Sequence, residues 1–229
     1  GSLPSEVYKP PLVPRLPLKD KSPLSETQIF EDDFSSGRPG KIWSSITGEQ
    51  GVNNNFAGKD ESLFFGRVNT DTRQATTVDI NASDGGSIAF EIIYGDDING
   101  GEEVDRGEEV VLEYLDAGRS WKQLSKYEIN NTTRKWSKKI ESLNGLELSD
   151  STQFRWRQLK FSGNGLNWDH WAIDNIRIEA RSLLEEVTGT PDSDYFIGSK
   201  KSKKYIFGGG YDVIDYSSLE TAITFLKDG

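Results

Sequence analysis

The sequence predicts an all-β chain: an antiparallel sandwich, then a short parallel segment of a different build. Three observations carry that expectation. Runs of alternating apolar and polar residues, each about a strand long, recur between Gly, Asn and Asp clusters from about residue 29 to 181. Nothing in that span shows the period of an amphipathic helix. Past residue 188 the composition changes and a nine-residue spacing sets in.

The composition agrees. Among 229 residues are 23 Gly, 11% aromatics and only 34% hydrophobic residues, a mix that suits short strands and tight turns. Twenty-seven Lys and Arg against 37 Asp and Glu give a formal charge of −10, which argues against nucleic acid and anionic membranes and suits a chain that gathers cations. No run approaches the roughly 20 apolar residues of a membrane span, so no membrane insertion is expected. Cysteine is absent, which removes disulfides, thiolate metal sites and thiol nucleophiles. The opening Gly1-Ser2, without an initiator Met, reads as a tag scar on a fragment of something longer.

Residues 1–28 hold six of the eight prolines, from Pro4 to Pro23, and read as a semi-extended linker. Strands are expected from Ile29 and then over 62–65, 87–93, 109–114, 121–124, 135–140, 153–159 and 171–179. About eight short antiparallel strands make a sandwich. The acidic stretch GDDINGGEEVDRGEE, 95–109, is a loop that could take up a cation, but it misses the EF-hand pattern: Gly101 falls at the fifth position and Glu102 where the turn glycine belongs. LDAGRSW, 115–121, reads as a hairpin turn capped by Asp116, with Trp121 packing back on it; it is similar to the Asp-box hairpin of sialidase propellers, a structural motif.

The stretch WDHWAIDNIRIE, 168–179, reads as a strand with a carboxylate on its apolar face. Ala172, Ile176 and Ile178 share one parity, and alternation adds Asp174 to it. A buried ionised Asp needs a counter-charge, at a cost of several kcal/mol without one. A cation, an arginine or a strand-end position open to solvent would meet that need; a bound calcium ion is expected, and a salt bridge to an Arg such as Arg177 or Arg155 is the alternative. The single histidine, His170, has Asp169 beside it but no obvious nucleophile, so packing, or contact with a sugar alongside Trp168, is expected rather than catalysis.

Taken in order, EDDFSSG, Trp43, SLFFG, RQATT, SIAFEIIYG, EEVVLEYLDAGRSWKQL, TQFRWRQL and WAIDNI resemble the reelin-type subrepeat, the jelly-roll unit of extracellular reelin that also occurs in bacterial secreted proteins. The cysteine often found after the first Trp is replaced here by the region of Asn53, Asn54 and Asn55, and no second subrepeat follows. The resemblance implies an antiparallel jelly-roll β-sandwich over 29–182, with calcium where its first and last strands run together. It points to Asp174 and to the acids of EDDF. Asp33 matches the acid before Phe, Asp32 is the one that parity turns inward, and the choice among Glu31, Asp32 and Asp33 stays open. Carbonyls around 58–62 and Asp60 would complete the oxygens.

After a hinge at 183–188, three nine-residue blocks follow: GTPDSDYFI, GSKKSKKYI and FGGGYDVID. Phe196, Tyr205 and Ile214 take the eighth, buried position. The blocks resemble the repeats-in-toxin nonapeptides, which implies a short parallel β-roll over 189–229. In it Asp194 and Asp212 would face each other one turn apart and hold calcium with Asp192, Gly208 and Gly210. Lys203 stands where the middle block would need its acid, so the other edge is expected to bind none.

These resemblances imply a non-catalytic, calcium-binding adhesion or recognition module, secreted to the outside of a bacterial cell, with a cell-surface protein or glycan as partner. A carbohydrate-binding module and an accessory domain of a secreted hydrolase or protease are the alternatives.

Overall fold

The computed structural model describes residues 25–66, 72–96, 98–99, 101–160, 168–198 and 203–217. The linker up to residue 24, Lys200 and Lys201 lie outside them. Every regular element among the described residues is a strand, and no helix there is long and apolar enough to cross a membrane.

Two antiparallel sheets form the jelly-roll sandwich. The six-stranded sheet comprises β1 (Ser25–Asp32), β3 (Glu49–Phe56), β4 (Lys59–Phe65), β6 (Gly86–Tyr94), β9 (Ser137–Ser142) and β11 (Trp171–Leu183). Its order is β3-β4-β11-β6-β9. The long β11 serves two partners on one edge, β4 along Trp171–Ile173 and β1 along its second half. The five-stranded sheet, β2-β5-β10-β7-β8, is built of β2 (Trp43–Thr47), β5 (Gln74–Thr77), β7 (Val110–Leu115), β8 (Trp121–Tyr127) and β10 (Phe154–Gln158).

Aromatic rings fill the space between the sheets. Trp156 meets Phe90 edge-on at 5.3 Å and Trp43 at 5.6 Å, while Trp171 stacks on Phe65 at 4.0 Å. Alternation selects them: in FRWRQ the buried Phe154, Trp156 and Gln158 take one face and Arg155 and Arg157 the other. A smaller apolar cluster of Phe56, Phe64, Ile93 and Ala172 sits apart from this core. Ala172 pairs with both Phe64 and Ile93, so the three share the other face of the six-stranded sheet.

The strict alternation expected through Asp174 does not hold. A β-bulge shifts the β11–β6 register between Asp174 and Arg177, with Asn175 at φ 50°. Trp171 and Ile173 face the main core before the bulge, and Ile176, Ile178 and Ala180 face it after. Ala172 and Asp174 therefore belong to the opposite face, beside the smaller cluster.

The remaining strands pair in parallel: β12 (Glu185–Thr188) with β14 (Lys203–Ile206), and β13 (Tyr195–Ile197) with β15 (Val213–Asp215). Residues meet across a separation of 18, as Asp194 and Asp212 do, the rise expected of alternating nine-residue blocks. Strand structure also occupies the expected hinge, because β11 runs to Leu183 and β12 starts at Glu185. The lysines of β14 pair with it, Lys203 with Glu185 at 3.3 Å and Lys204 with Glu186 at 3.9 Å. Phe196 packs against Tyr205 and Phe207 at 5.4 and 6.2 Å.

Candidate binding face and carboxylate sites

Asp174 does receive a cation, and it is Lys59. The ammonium Nζ lies 2.6 Å from Asp174 Oδ2, also hydrogen-bonds Glu91 Oε2, and sits 4.7 Å from the Trp136 ring centroid. Asn175 closes the cluster, donating from Nδ2 to Glu91 at 2.6 Å and to Asp174 at 3.2 Å. Burial pushes the Asp174 carboxyl up, and Lys59 recovers only part of that. At Glu91 burial also pushes up, but the hydrogen bonds from Lys59 and Asn175 outweigh it and hold the carboxyl down.

The acids of the first strand are engaged elsewhere. Asp32 accepts from Phe34 N at 3.0 Å on one oxygen, and from Gly40 N at 2.7 Å and Trp43 Nε1 at 2.8 Å on the other. Asp33 is exposed and bonds the hydroxyl and amide of Ser35, which hold it below the ordinary carboxylate value. Glu31 pairs with Arg177 at 3.0 Å, and Asp60 is exposed on β4. Among the described residues no three His, Cys, Asp or Glu gather to hold a metal. The arrangement around Asp174 does not fit a divalent ion, since an ammonium already stands against its carboxylate.

In the parallel segment Asp194 and Asp212 do meet. Asp194 N donates to Asp212 Oδ1 at 2.9 Å, and the Asp194 carboxylate accepts from Thr190 N at 2.6 Å and from the Thr190 hydroxyl. The loop of 207–212 stacks directly on that of 189–194. A Cβ on Gly208 would lie 2.0 Å from Thr190 O, so only glycine permits this approach. Gly210 has φ +75° and also closes on Asp192 and Ser193. Both carboxylates are thus taken up by N–H and O–H donors, Asp194 by Thr190 and Asp212 by the Asp194 amide. Asp192 is exposed at the rim.

His170 is buried, accepting at Nδ1 from Glu102 N at 3.0 Å, with its ring edge-on to Phe64 at 5.2 Å. Next to it Arg73, the first residue of RQATT, donates to the carbonyls of Trp168 and Asp169 at 2.7 and 3.0 Å. Glu102 accepts from Asp169 N. Within the acidic stretch, Gly95 and Glu102 are thus tied to the entry to β11, while Glu103 and residues 105–107 stay exposed. Asp169 is pushed up to about 7, by burial first and then by the neighbouring Glu108 and Glu102, with Arg73 opposing.

The face of the five-stranded sheet that turns away from the core carries a further constellation. Glu113 on β7 lies opposite Arg155 on β10 and Gln123 on β8, so the three share this face. Arg155 reaches Glu113 Oε2 through Nε and Nη2, both at 2.7 Å. Arg157 forks onto the same carboxylate, Nε to Oε2 at 3.0 Å and Nη2 to Oε1 at 2.7 Å. Burial pushes Glu113 up, but the hydrogen bonds from Arg157 and Arg155 outweigh it and hold the carboxyl below its ordinary value. The Arg155 guanidinium stacks 4.0 Å above the ring of Trp121. Thr76 and Ser45 extend the row across β5 and β2. The i, i+2 spacing of Arg155 and Arg157 around a buried Trp was the available signal for this face.

Residues 48–179 match the family model of reelin subrepeat B. A comparison with curated proteins finds no match. Among solved structures, the C-terminal CBM6 of LamC, a marine laminarinase from Zobellia galactanivorans, is 16% identical, with 67% of this chain and 99% of that one covered and a TM-score of 0.38. The C-terminal family 22 carbohydrate-binding module of Clostridium thermocellum Xyn10B is 11% identical, over 66% and 92%, with a TM-score of 0.43. The K2 cleaved adhesin domain of Lys-gingipain is 10% identical, over 66% and 97%, at 0.40. The family model takes in more than half of the sequence, from β3 nearly to the end of β11: the chain belongs to the reelin subrepeat B family.

Proposed function

We propose that the sandwich is a non-catalytic recognition module that binds glycan on the outward face of its five-stranded sheet. One observation carries this reading: a row of hydrogen-bonding side chains, with Trp121 and the braced guanidinia of Arg155 and Arg157, crosses that face. Sugars are bound by an aromatic plane against their C–H faces and by a few fixed polar groups at their hydroxyls. The test is a panel of immobilised polysaccharides probed with the chain and with Trp121→Ala. Retention of at least one polysaccharide, lost in the variant, is the expected result; retention of none would remove the reading. Secretion to a bacterial surface, as a free adhesive module or as the accessory domain of a hydrolase, belongs to the same proposal.

A second reading concerns calcium, and a specific observation favours it in the parallel segment alone. Asp194 and Asp212 are brought together by loops that only glycine lets approach so closely. Calcium there would brace the roll rather than do chemistry. Hydrogen exchange of 185–217 with calcium and with chelator tests it: added protection with calcium, lost in Asp212→Asn, is expected, and equal exchange in both would overturn it.

A further inference from the structure

Glu113 accepts every hydrogen bond that fixes the two guanidinia, yet each guanidinium keeps one end uncommitted. Arg155 uses Nε and Nη2, and Arg157 uses Nε and Nη2. Among the described residues neither Nη1 amino group has a hydrogen-bond partner. Both side chains reach solvent, at 16% and 27% exposure, whereas Glu113 is at 9%. Nε and Nη2 form the edge of each guanidinium that meets Glu113, so both Nη1 groups stand on the edges turned away from that carboxylate. Two positive charges against one negative leave this spot with a net positive charge, in a chain whose formal charge is −10.

Lys126 lies across β7 from Arg157, through Val111, but it is paired with the exposed Glu128 at 2.7 Å, so the excess charge here is that of the two arginines over Glu113. A positive patch on an acidic protein disfavours acidic ligands everywhere except at that patch, so charge selects both the ligand and its place. Guanidinium donors fixed by a buried acid lose little further freedom on binding a second carboxylate, and their planar geometry suits one. The Arg155 guanidinium covers one face of the half-buried Trp121 ring, so a pyranose would meet its remaining surface, which offers nothing specific to an acidic peptide.

We infer that the ligand of this face is an acidic polysaccharide, whose uronate carboxylates are taken by the Nη1 groups of Arg155 and Arg157 with Trp121 against an adjoining sugar ring. The inference rests on the reading of this face as a glycan site. A matched set of ligands separates the two: polygalacturonate, the same polymer with its carboxyl groups reduced to hydroxymethyl, and polyglutamate, each titrated calorimetrically into the full chain. Binding of polygalacturonate alone, weakening as salt rises, is expected. Arg157→Gln should weaken it about tenfold, the size of a lost charged hydrogen bond. If that variant melts early because Glu113 is left short of partners, the double variant Glu113→Gln, Arg157→Gln removes the opposed charges together and should still bind more weakly. Equal binding of the native and reduced polymers would overturn the acidic preference and leave the glycan site standing. Equal binding of polyglutamate would overturn the sugar requirement, and binding of none of the three while another polysaccharide is retained would overturn the inference alone.

Discussion

Lys59 is the cation that the buried Asp174 carboxylate requires, and its removal should leave two acids facing each other. Lys59→Met keeps the aliphatic stem near Trp136 but abandons Asp174 and Glu91. Stripping one partner from a fully buried pair costs about 3–5 kcal/mol. Lys59 is 22% and Glu91 26% exposed, so a loss of about 2 kcal/mol is expected in urea denaturation. Adding Glu91→Gln should recover part of it; a double variant no better than the single would rule out charge repulsion as the cause. Asp169 makes the second argument at this scale. Its carboxyl, ordinarily near 3.8, is pushed up to about 7, so the native state binds the proton more tightly than the unfolded state does. The stability tied to that proton is complete below the unfolded value and is lost as pH rises through 7. Asp169→Asn should therefore flatten the fall in melting temperature between about pH 4 and 8. An unchanged slope would exclude Asp169 as the titrating group.

At the scale of the element, the bulge in β11 decides where Asp174 points. Asn175 holds a left-handed φ of 50° there, and its side chain bonds Asp174 and Glu91. Asn175→Gly loses those bonds but tolerates the backbone, whereas Asn175→Ala loses both. The alanine variant should be the less stable by about 1 kcal/mol, measured by chemical denaturation. Equal stabilities would mean that the bulge stores no strain. The same bulge explains why the strand was legible and its site was not. Alternation finds β11 because most of its residues obey it, but one extra residue reverses the faces on either side, and neither Ile176 nor Ala172 reveals that alone. Lys59 stands 115 positions from Asp174, so no local spacing links them. β2, β3 and β5 escaped notice for a related reason. WSSIT and QATT are mostly polar or small, and neighbouring strands, not their own hydrophobicity, hold them in the sheet. The parallel segment was easier to place, because a solenoid writes its register into the sequence as a constant separation. Even there, the spacing leaves the lysines of β14 unexplained, because their partners Glu185 and Glu186 lie before the first nine-residue block.

The whole molecule joins two kinds of β-structure with different sources of stability. The sandwich closes through pairings far apart in sequence, β1 with β11 above all, around a dense aromatic core. Among the described residues the parallel segment has two two-stranded sheets and leaves Tyr195 and Ile197 largely exposed, so few described neighbours bury its faces. Calcium at Asp194 and Asp212 would therefore stabilise the weaker unit and leave the stronger one alone. The tryptophans make this separable. All six lie between Trp43 and Trp171, and the segment from 185 onward has none. Tryptophan fluorescence thus follows the unfolding of the sandwich, while hydrogen exchange at 185–217 follows the parallel strands. Calcium at ten times its dissociation constant adds about 1.4 kcal/mol to whichever unit binds it. The expected pattern is a fluorescence midpoint in urea that is the same with calcium and with chelator, alongside exchange at 185–217 that slows with calcium. A fluorescence midpoint that falls with chelator would place a cation in the sandwich after all.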